Sequence, residues 1–353
     1  MKIVFFIDKS NSYFLSLIDF LEFNFPDYIK EYYIIDRRKE VNIPDKSNVH
    51  RILRYSEFIL NIELRKAVMD CDKVVASGIF TLQYVLPLFS KKVLQKTYLQ
   101  FWGGDMYVFR KHTFKIAAKK YFVNICVKNC AGVINLVSSE REEFKKFFPY
   151  DKKFFATPVP GGPKSDELNK KYRELSMLHE NKGQRRIVIG NSATVSNRHL
   201  DLFEKLKKID WKDVKIYCPL TYGDMNYRDM VIEKGAEFFG ENFHPLIKQM
   251  EYEEYMSFLM TCSVGIYNHN RQQGLGNISM LLNMGKKVYV PQNGFAWKHY
   301  TSYGYKLNNV DDLSTQTLEQ IFKWTDDDRQ KNFDSIDKRK EDIIAEWRKI
   351  LGN

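Results

Sequence analysis

Residues 263–291 read SVGIYNHNRQQGLGNISMLLNMGKKVYVP. A short apolar run, SVGIY, gives way to a loop of Asn, His, Arg, Gln and Gly. Apolar residues at helical spacing follow in NISMLLNMG (277–285), and a second short apolar run, KVYVP, covers 287–291. A strand that leaves through a glycine-bearing loop, opens a helix and returns as another strand is the unit of a parallel sheet. The loop itself is Arg271-Gln272-Gln273-Gly274-Leu275-Gly276-Asn277. Its glycines let backbone approach an anion, the helix start aims free N–H groups at it, and Arg271 adds a fixed cationic fork. These are the donors a diphosphate leaving group needs, because charge grows on it as the bond to it breaks.

The same alternation runs outward in both directions. IVFFI (3–7), YYIID (32–36), KVVAS (73–77), KTYLQFW (96–102) and GVINLV (132–137) read as strands, with helices expected around 12–24 and 56–69. After residue 184 the pattern restarts with strands at RRIVIG (185–190), DVKIYCPL (213–220) and EFF (237–239), and helices at 197–209, 226–235 and 252–261. Between them, 158–185 holds three prolines, three glycines and no strand signal, and is expected to connect two domains. The expected organisation is α/β, with a Rossmann-like lobe over 1–170 and a second over 184–325. A charged C-terminal helix, 326–353, is expected to pack back across the lobes. Ligands of such sheets bind at the carboxyl ends of strands, beside helix N-termini.

Three other strand ends carry chemistry. Gly190-Asn191-Ser192-Ala193-Thr194-Val195-Ser196-Asn197 offers small donors to a phosphate or an acceptor, and equally suits a helix-capping loop. Thr221 and Tyr222 end another strand, where Tyr222 is placed to stack on a base or sugar. Phe101-Trp102-Gly103-Gly104-Asp105 sets a carboxylate beside a Trp able to pack on a sugar face. Asp105 is read as a general base, with an N-cap role as the alternative. Ser77 and Gly78, at the end of KVVAS, face the same expected cleft. Among the seven histidines, His269, two residues before Arg271, is the one expected near the cleft, and no HxxxH or HExxH pair occurs. No metal or other cofactor is expected; Asp326-Asp327-Asp328 lies late in the chain at an expected helix start and is read as charge complementing a helix N-terminus, not as a pair that holds magnesium on a nucleotide.

Composition narrows the class. The chain has 353 residues, with 26 Phe, 21 Tyr and 5 Trp, which excludes a disordered chain. No window reaches the ~18 apolar residues of a membrane span. Asp8 and Lys9 interrupt the N-terminal apolar run too early for a secretory signal, so a cytoplasmic protein is expected. Five widely spread cysteines fit buried thiols in a reducing compartment, with Cys126 and Cys130 on one helix face.

The net charge of +11 is concentrated in residues 91–155, which hold fourteen Lys and Arg against five Asp and Glu. Phe147, Phe148, Tyr150, Phe154 and Phe155 lie among those lysines. Aromatics beside lysines read as a face for an anionic membrane, though aromatics can also stack on nucleic-acid bases.

At these motifs the chain resembles the bacterial TDP-N-acetylfucosamine:lipid II N-acetylfucosaminyltransferases, the 4-alpha-L-fucosyltransferases of glycosyltransferase family 56. The matching stretches are FWGGDMY (101–107), IVIGNSATVSNRHL (187–200), VKIYCPLTYGDMNY (214–227) and the run from EYEEY through KKVYV (251–290). The resemblance implies a GT-B fold, two Rossmann-like lobes facing each other across a cleft. It implies a dTDP-activated 4-acetamido-4,6-dideoxy sugar as donor and an undecaprenyl-diphosphate-linked glycan as acceptor. It further implies a peripheral enzyme on the inner face of the membrane, using no nucleic acid.

On that reading Gly190, Asn191 and Ser192 lie beneath the phosphates or sugar, and Thr221 and Tyr222 near the base. Arg271, Gln272, Gln273, Gly274, Gly276 and Asn277 hold the diphosphate and sugar. Ser77, Gly78, Trp102 and Asp105 face the acceptor. Arg271 neutralises the leaving dTDP in place of a metal. If the anomeric centre inverts, Asp105 takes the acceptor's proton; if it is retained, the leaving phosphate can do so. Many donor lobes of this fold carry a ribose-binding Glu five residues before the glycine that closes this helix. Here that position is Met280, which is compatible with a deoxyribose. A different nucleotide-sugar or acceptor, and a basic nucleic-acid-binding protein, are the competing readings.

Overall fold

The computed structural model describes residues 1–8, 12–36, 43–158, 160–179, 185–269 and 271–352. The chain forms two compact units, one of residues 1–165 with 340–353 and one of residues 166–339. The boundary therefore falls inside the helix Pro163–His179, which occupies much of the expected linker; residues 159 and 180–184 of that linker lie outside the described residues. The residues of the C-terminal helix Asp326–Gly352 are divided between the two units. Its first half counts with the second unit and its last turns with the first.

The first unit is a seven-stranded parallel sheet: β1 (Lys2–Asp8), β2 (Ile29–Ile35), β3 (Val49–Ile52), β4 (Lys73–Ser77), β5 (Thr97–Gln100), β6 (Gly132–Asn135) and β7 (Lys153–Ala156). Their order is β3-β2-β1-β4-β5-β6-β7. Helices cover both faces, so β1 is apolar without alternation from Ile3 to Ile7. Ile3, Phe5 and Ile7 enter one core, which also takes Trp347, Ile350 and Leu351 from the C-terminal helix. Val4 and Phe6 enter the core on the other face. The sequence reading lacks β3 and β7, the two edges. An edge strand pairs on one side only and tolerates polar residues such as His50 and Lys153, so the apolar signal fades there.

The second unit repeats the plan with β8 (Arg185–Ile189), β9 (Val214–Pro219), β10 (Phe243–Leu246), β11 (Val264–Ile266), β12 (Lys287–Val290) and β13 (Asn308–Asn309), in the order β10-β9-β8-β11-β12-β13. The strand expected at 237–239 is instead the end of the helix Met225–Phe239, and β10 begins only after Gly240. Phe239 packs on Phe203 and Trp211 from that last turn. A three-residue apolar run cannot distinguish a buried helix end from a strand.

In each sheet the order reverses at one place, between β1 and β4 and between β8 and β11. Chains leave adjacent strands in opposite directions there, which opens a crevice at the carboxyl ends. The loops singled out in the sequence leave from these places or from the neighbouring strands.

Candidate active site

In the second unit three loops are joined at this crevice. The loop after β8 turns on Gly190, with φ of +68°. Asn197 organises it: its Nδ2 donates to Ser192 O at 2.8 Å and to Thr194 Oγ1 at 2.9 Å. Its Oδ1 accepts from Asn191 N–H at 3.3 Å and lies 2.8 Å from His269 Nε2. The amide's donors are thus spent on one loop, and its oxygen reaches a residue following β11. Because Oδ1 only accepts, the Nε2 of His269 carries the proton. Burial pushes this imidazole down to about 3, so it is neutral at physiological pH.

Arg271 Nε donates to Ser196 Oγ at 3.1 Å, and Ser196 Oγ donates to Gln273 Oε1 at 2.5 Å. Gln273 Nε2 reaches Asn191 Oδ1 at 3.5 Å, and Asn191 Nδ2 donates to Tyr222 OH at 3.0 Å. The third loop, 220–224, is held by Ala193 N–H donating to Tyr222 O at 2.8 Å and Asp224 N–H donating to Ala193 O at 2.8 Å. Gly223 permits this approach, since a β-carbon there would collide with the Ala193 carbonyl. Gly274, with φ of +65°, caps the helix Leu275–Asn283. Gly276 lies in its first turn, and Asn277 donates to Tyr255 OH at 2.9 Å. Gln272 is buried, Thr221 is half-buried and Tyr222 is 57% exposed.

Every residue expected to hold the donor therefore lies on one of three adjoining loops or the helix turn they lead into. The arrangement pairs one guanidinium with unsatisfied helix N–H groups and small hydroxyl and amide side chains, a chemistry suited to a phosphate-bearing ligand. Asn197, His199 and Ser196 were missed as organisers. His199 sits behind Gly190, whose β-carbon would come within 2.5 Å of Nε2. His269 is marked in the sequence only by its nearness to Arg271, and His199 gives no signal, because its partner Tyr227 is 28 residues further along the chain.

In the first unit Ser77 Oγ donates to Gln100 Oε1 at 2.6 Å and receives the Trp102 indole N–H at 3.2 Å. Asp105 does not stand open as a general base. One oxygen accepts Ile79 N–H and the other Trp102 N–H, both at 2.8 Å, and the side chain is fully buried. It clamps the loop after β4 to the loop after β5. Asp8, read in the sequence only as the end of the N-terminal apolar run, holds the same loop from the end of β1: it accepts from Thr81 Oγ1 at 2.7 Å, Leu82 N–H at 3.1 Å and Thr81 N–H. Gly78 lies against the Asp8 backbone and the Phe80 ring, with φ of +82°. Burial raises Asp105 to about 6 and Glu140 to about 7; Glu140 accepts the Tyr107 hydroxyl at 2.8 Å.

The aromatic part of the basic segment also needs correction. Phe148 is fully buried, and Phe147, Tyr150 and Phe154 pack on the same core. Phe155 packs on Tyr98 at the opposite face. Residues 153–156 form a strand, so their side chains turn into the two helix layers. The exposed aromatics are Phe114, at 89%, and Tyr121, at 64%, on the helix Phe114–Asn129.

Two parallel-sheet units of this topology, with an anion-suited crevice on the second, have the GT-B architecture. Three solved structures share the fold. HepE of Anabaena in complex with UDP is 12% identical, with 100% of this chain and 99% of that one covered, at a TM-score of 0.66. A trehalose-6-phosphate structure from E. coli bound with UDP-2-fluoro glucose is 8% identical, with coverage of 99% and 97% and a TM-score of 0.65. A glycosyltransferase from Rickettsia africae is 14% identical, with coverage of 100% and 99% and a TM-score of 0.62. The model of 4-alpha-L-fucosyltransferase glycosyl transferase group 56 matches residues 61–351, and the chain belongs to that family.

Proposed function

We propose that this glycosyltransferase moves a 4-acetamido-4,6-dideoxy sugar from a dTDP carrier to an undecaprenyl-diphosphate-linked glycan at the inner face of the membrane. The observation that carries the donor side is the joining of Arg271, Ser196, Gln273, Asn191 and Tyr222 by hydrogen bonds across three loops. Gly190, Asn191 and Ser192 lie under the phosphates or sugar. Thr221 and Tyr222 meet the base, and Arg271, Gln272, Gln273, Gly274, Gly276 and Asn277 meet the diphosphate and sugar. As the bond from the anomeric carbon to the diphosphate breaks, Arg271 and the first-turn N–H groups take up the charge, so no divalent ion is required.

The first unit takes the acceptor, with Ser77, Gly78 and Trp102 shaping its site. Asp105 is a positioning residue in this reading.

Membrane contact is supported by charge. Residues 82–128 contain nine Lys and Arg and a single acid, the buried Asp105. Phe114 and Tyr121 stand out from that surface to enter the headgroup layer while lysines meet anionic lipid. No helix among the described residues is long and apolar enough to cross a membrane.

The test is a thermal-shift panel of dTDP, UDP, GDP and CDP in EDTA, followed by product analysis with dTDP- and UDP-sugars. Stabilisation by dTDP at 100 times its Kd should reach about 2.7 kcal/mol. A preference for UDP or GDP would reject the donor identity, and a dTDP effect that needs magnesium would reject metal independence.

A further inference from the structure

Arg339, on the C-terminal helix, lies against tyrosines of the second unit. Its Cζ is 5.4 Å from the ring centroid of Tyr300 and 6.0 Å from that of Tyr303. Its Nε is buried without a partner, and no carboxylate pairs with it among the described residues. Its Nη1 donates to Ser279 Oγ at 3.0 Å. Ser279 Oγ lies 2.8 Å from Tyr300 OH, and Tyr300 OH donates to Leu275 O at 2.6 Å.

Every direction in this chain is determined. A guanidinium only donates and a carbonyl only accepts, so Ser279 passes its proton toward Tyr300, and Tyr300 passes its own toward Leu275. Burial raises the Tyr300 phenol to about 12, which keeps it a donor. A cation thus stands at one end of a one-way hydrogen-bond chain, and the first carbonyl of the helix Leu275–Asn283 at the other. Successive bonds in such a chain polarise one another.

The Leu275 carbonyl and the Gly276 N–H belong to one planar trans peptide and point in opposite directions. Anchoring the carbonyl fixes where the N–H aims. Gly276 is in the first turn, where an N–H has no acceptor within the helix.

We propose that Arg339, acting through Ser279 and Tyr300, is a positioning residue that aims the Gly276 N–H at the diphosphate of a bound nucleotide. The proposal rests on the donor assignment above. The C-terminal helix then contributes to donor binding without touching the donor.

The test uses Tyr300→Phe, which removes one hydroxyl and no ring, together with Arg339→Met and Arg339→Lys. Calorimetry with dTDP and with thymidine separates phosphate recognition from base recognition. The Gly276 amide resonance of the unliganded full chain reports the peptide directly. Tyr300→Phe and Arg339→Met should weaken dTDP roughly tenfold, leave thymidine unchanged and shift the Gly276 resonance. Arg339→Lys should recover most of the dTDP affinity. If the wild-type chain binds dTDP and both variants keep its dTDP-to-thymidine ratio, the relay is wrong while the donor assignment stands. An unmoved Gly276 resonance rejects the relay whatever the ligand does. If the wild-type chain binds no nucleoside diphosphate, the donor assignment fails and the proposal fails with it.

Discussion

The imidazole of His269 occupies the space a side chain at position 274 would need: a β-carbon built on Gly274 would overlap the ring carbon Cε1. The ring cannot swing aside, because its Nε2 is held 2.8 Å from Asn197 Oδ1. Gly274 also has φ of +65°, where L side chains are strained. Gly274→Ala should therefore cost about 1–3 kcal/mol of stability and remove dTDP binding. Thermal melts with and without dTDP check both, and a variant that keeps its ligand shift would show that this corner does not receive the diphosphate.

Arg271 is half-buried, and its Nε contact with Ser196 is replaceable by water. Arg271→Ala should leave the melting temperature within a degree or two and lower kcat by ~10²–10³, the usual cost of deleting one preorganised donor. Steady-state rates with the dTDP-sugar decide it. Near-normal turnover would remove Arg271 from the reaction.

Asp105 and Glu140 titrate upward because they are buried, to about 6 from 3.8 and to about 7 from 4.5. The folded state then holds more protons than the unfolded chain between those values. Their contribution to stability is full below about pH 4 and is lost as pH rises through 6 to 7. Exposed ion pairs titrate on top of this, so the informative quantity is the difference between wild type and Glu140→Gln or Asp105→Asn. That difference should drift against the wild type from pH 4 to pH 7 in urea-melt series. A flat difference would mean that these carboxyls are not perturbed.

Phe114 is 89% exposed beside Lys111 and Lys115. Phe114→Ala and the pair Lys111→Glu with Lys115→Glu should each weaken sedimentation with vesicles containing phosphatidylglycerol, the charge reversal more strongly at low salt. Neither should alter dTDP binding. Unchanged vesicle binding in both would move the membrane contact elsewhere on the chain.

The central strands and the donor loop were readable from local order alone. β1, β8, β11 and β12 are short apolar runs because parallel strands covered on both faces have no solvent side to record. The stretch Arg271–Asn277 announced itself because glycines, a cation and a helix start are adjacent in the chain. β3 and β7 were lost because an edge strand half-faces water, and the false strand at 237–239 arose because a helix end buries the same residue types.

What each polar side chain does was decided only by folding. Asp105 looked like a base, yet two backbone N–H groups, one of them 26 residues away, close its oxygens. Phe148 looked like a membrane aromatic until β7 and the helix before it turned it inward. Asn197 and His269 are 72 positions apart and meet only because β8 and β11 are neighbours in the sheet. Residue type and spacing determine local backbone form and hydrophobic pattern. Whether a carboxylate or a ring meets solvent, ligand or another loop depends on contacts between distant segments, which strand order alone creates.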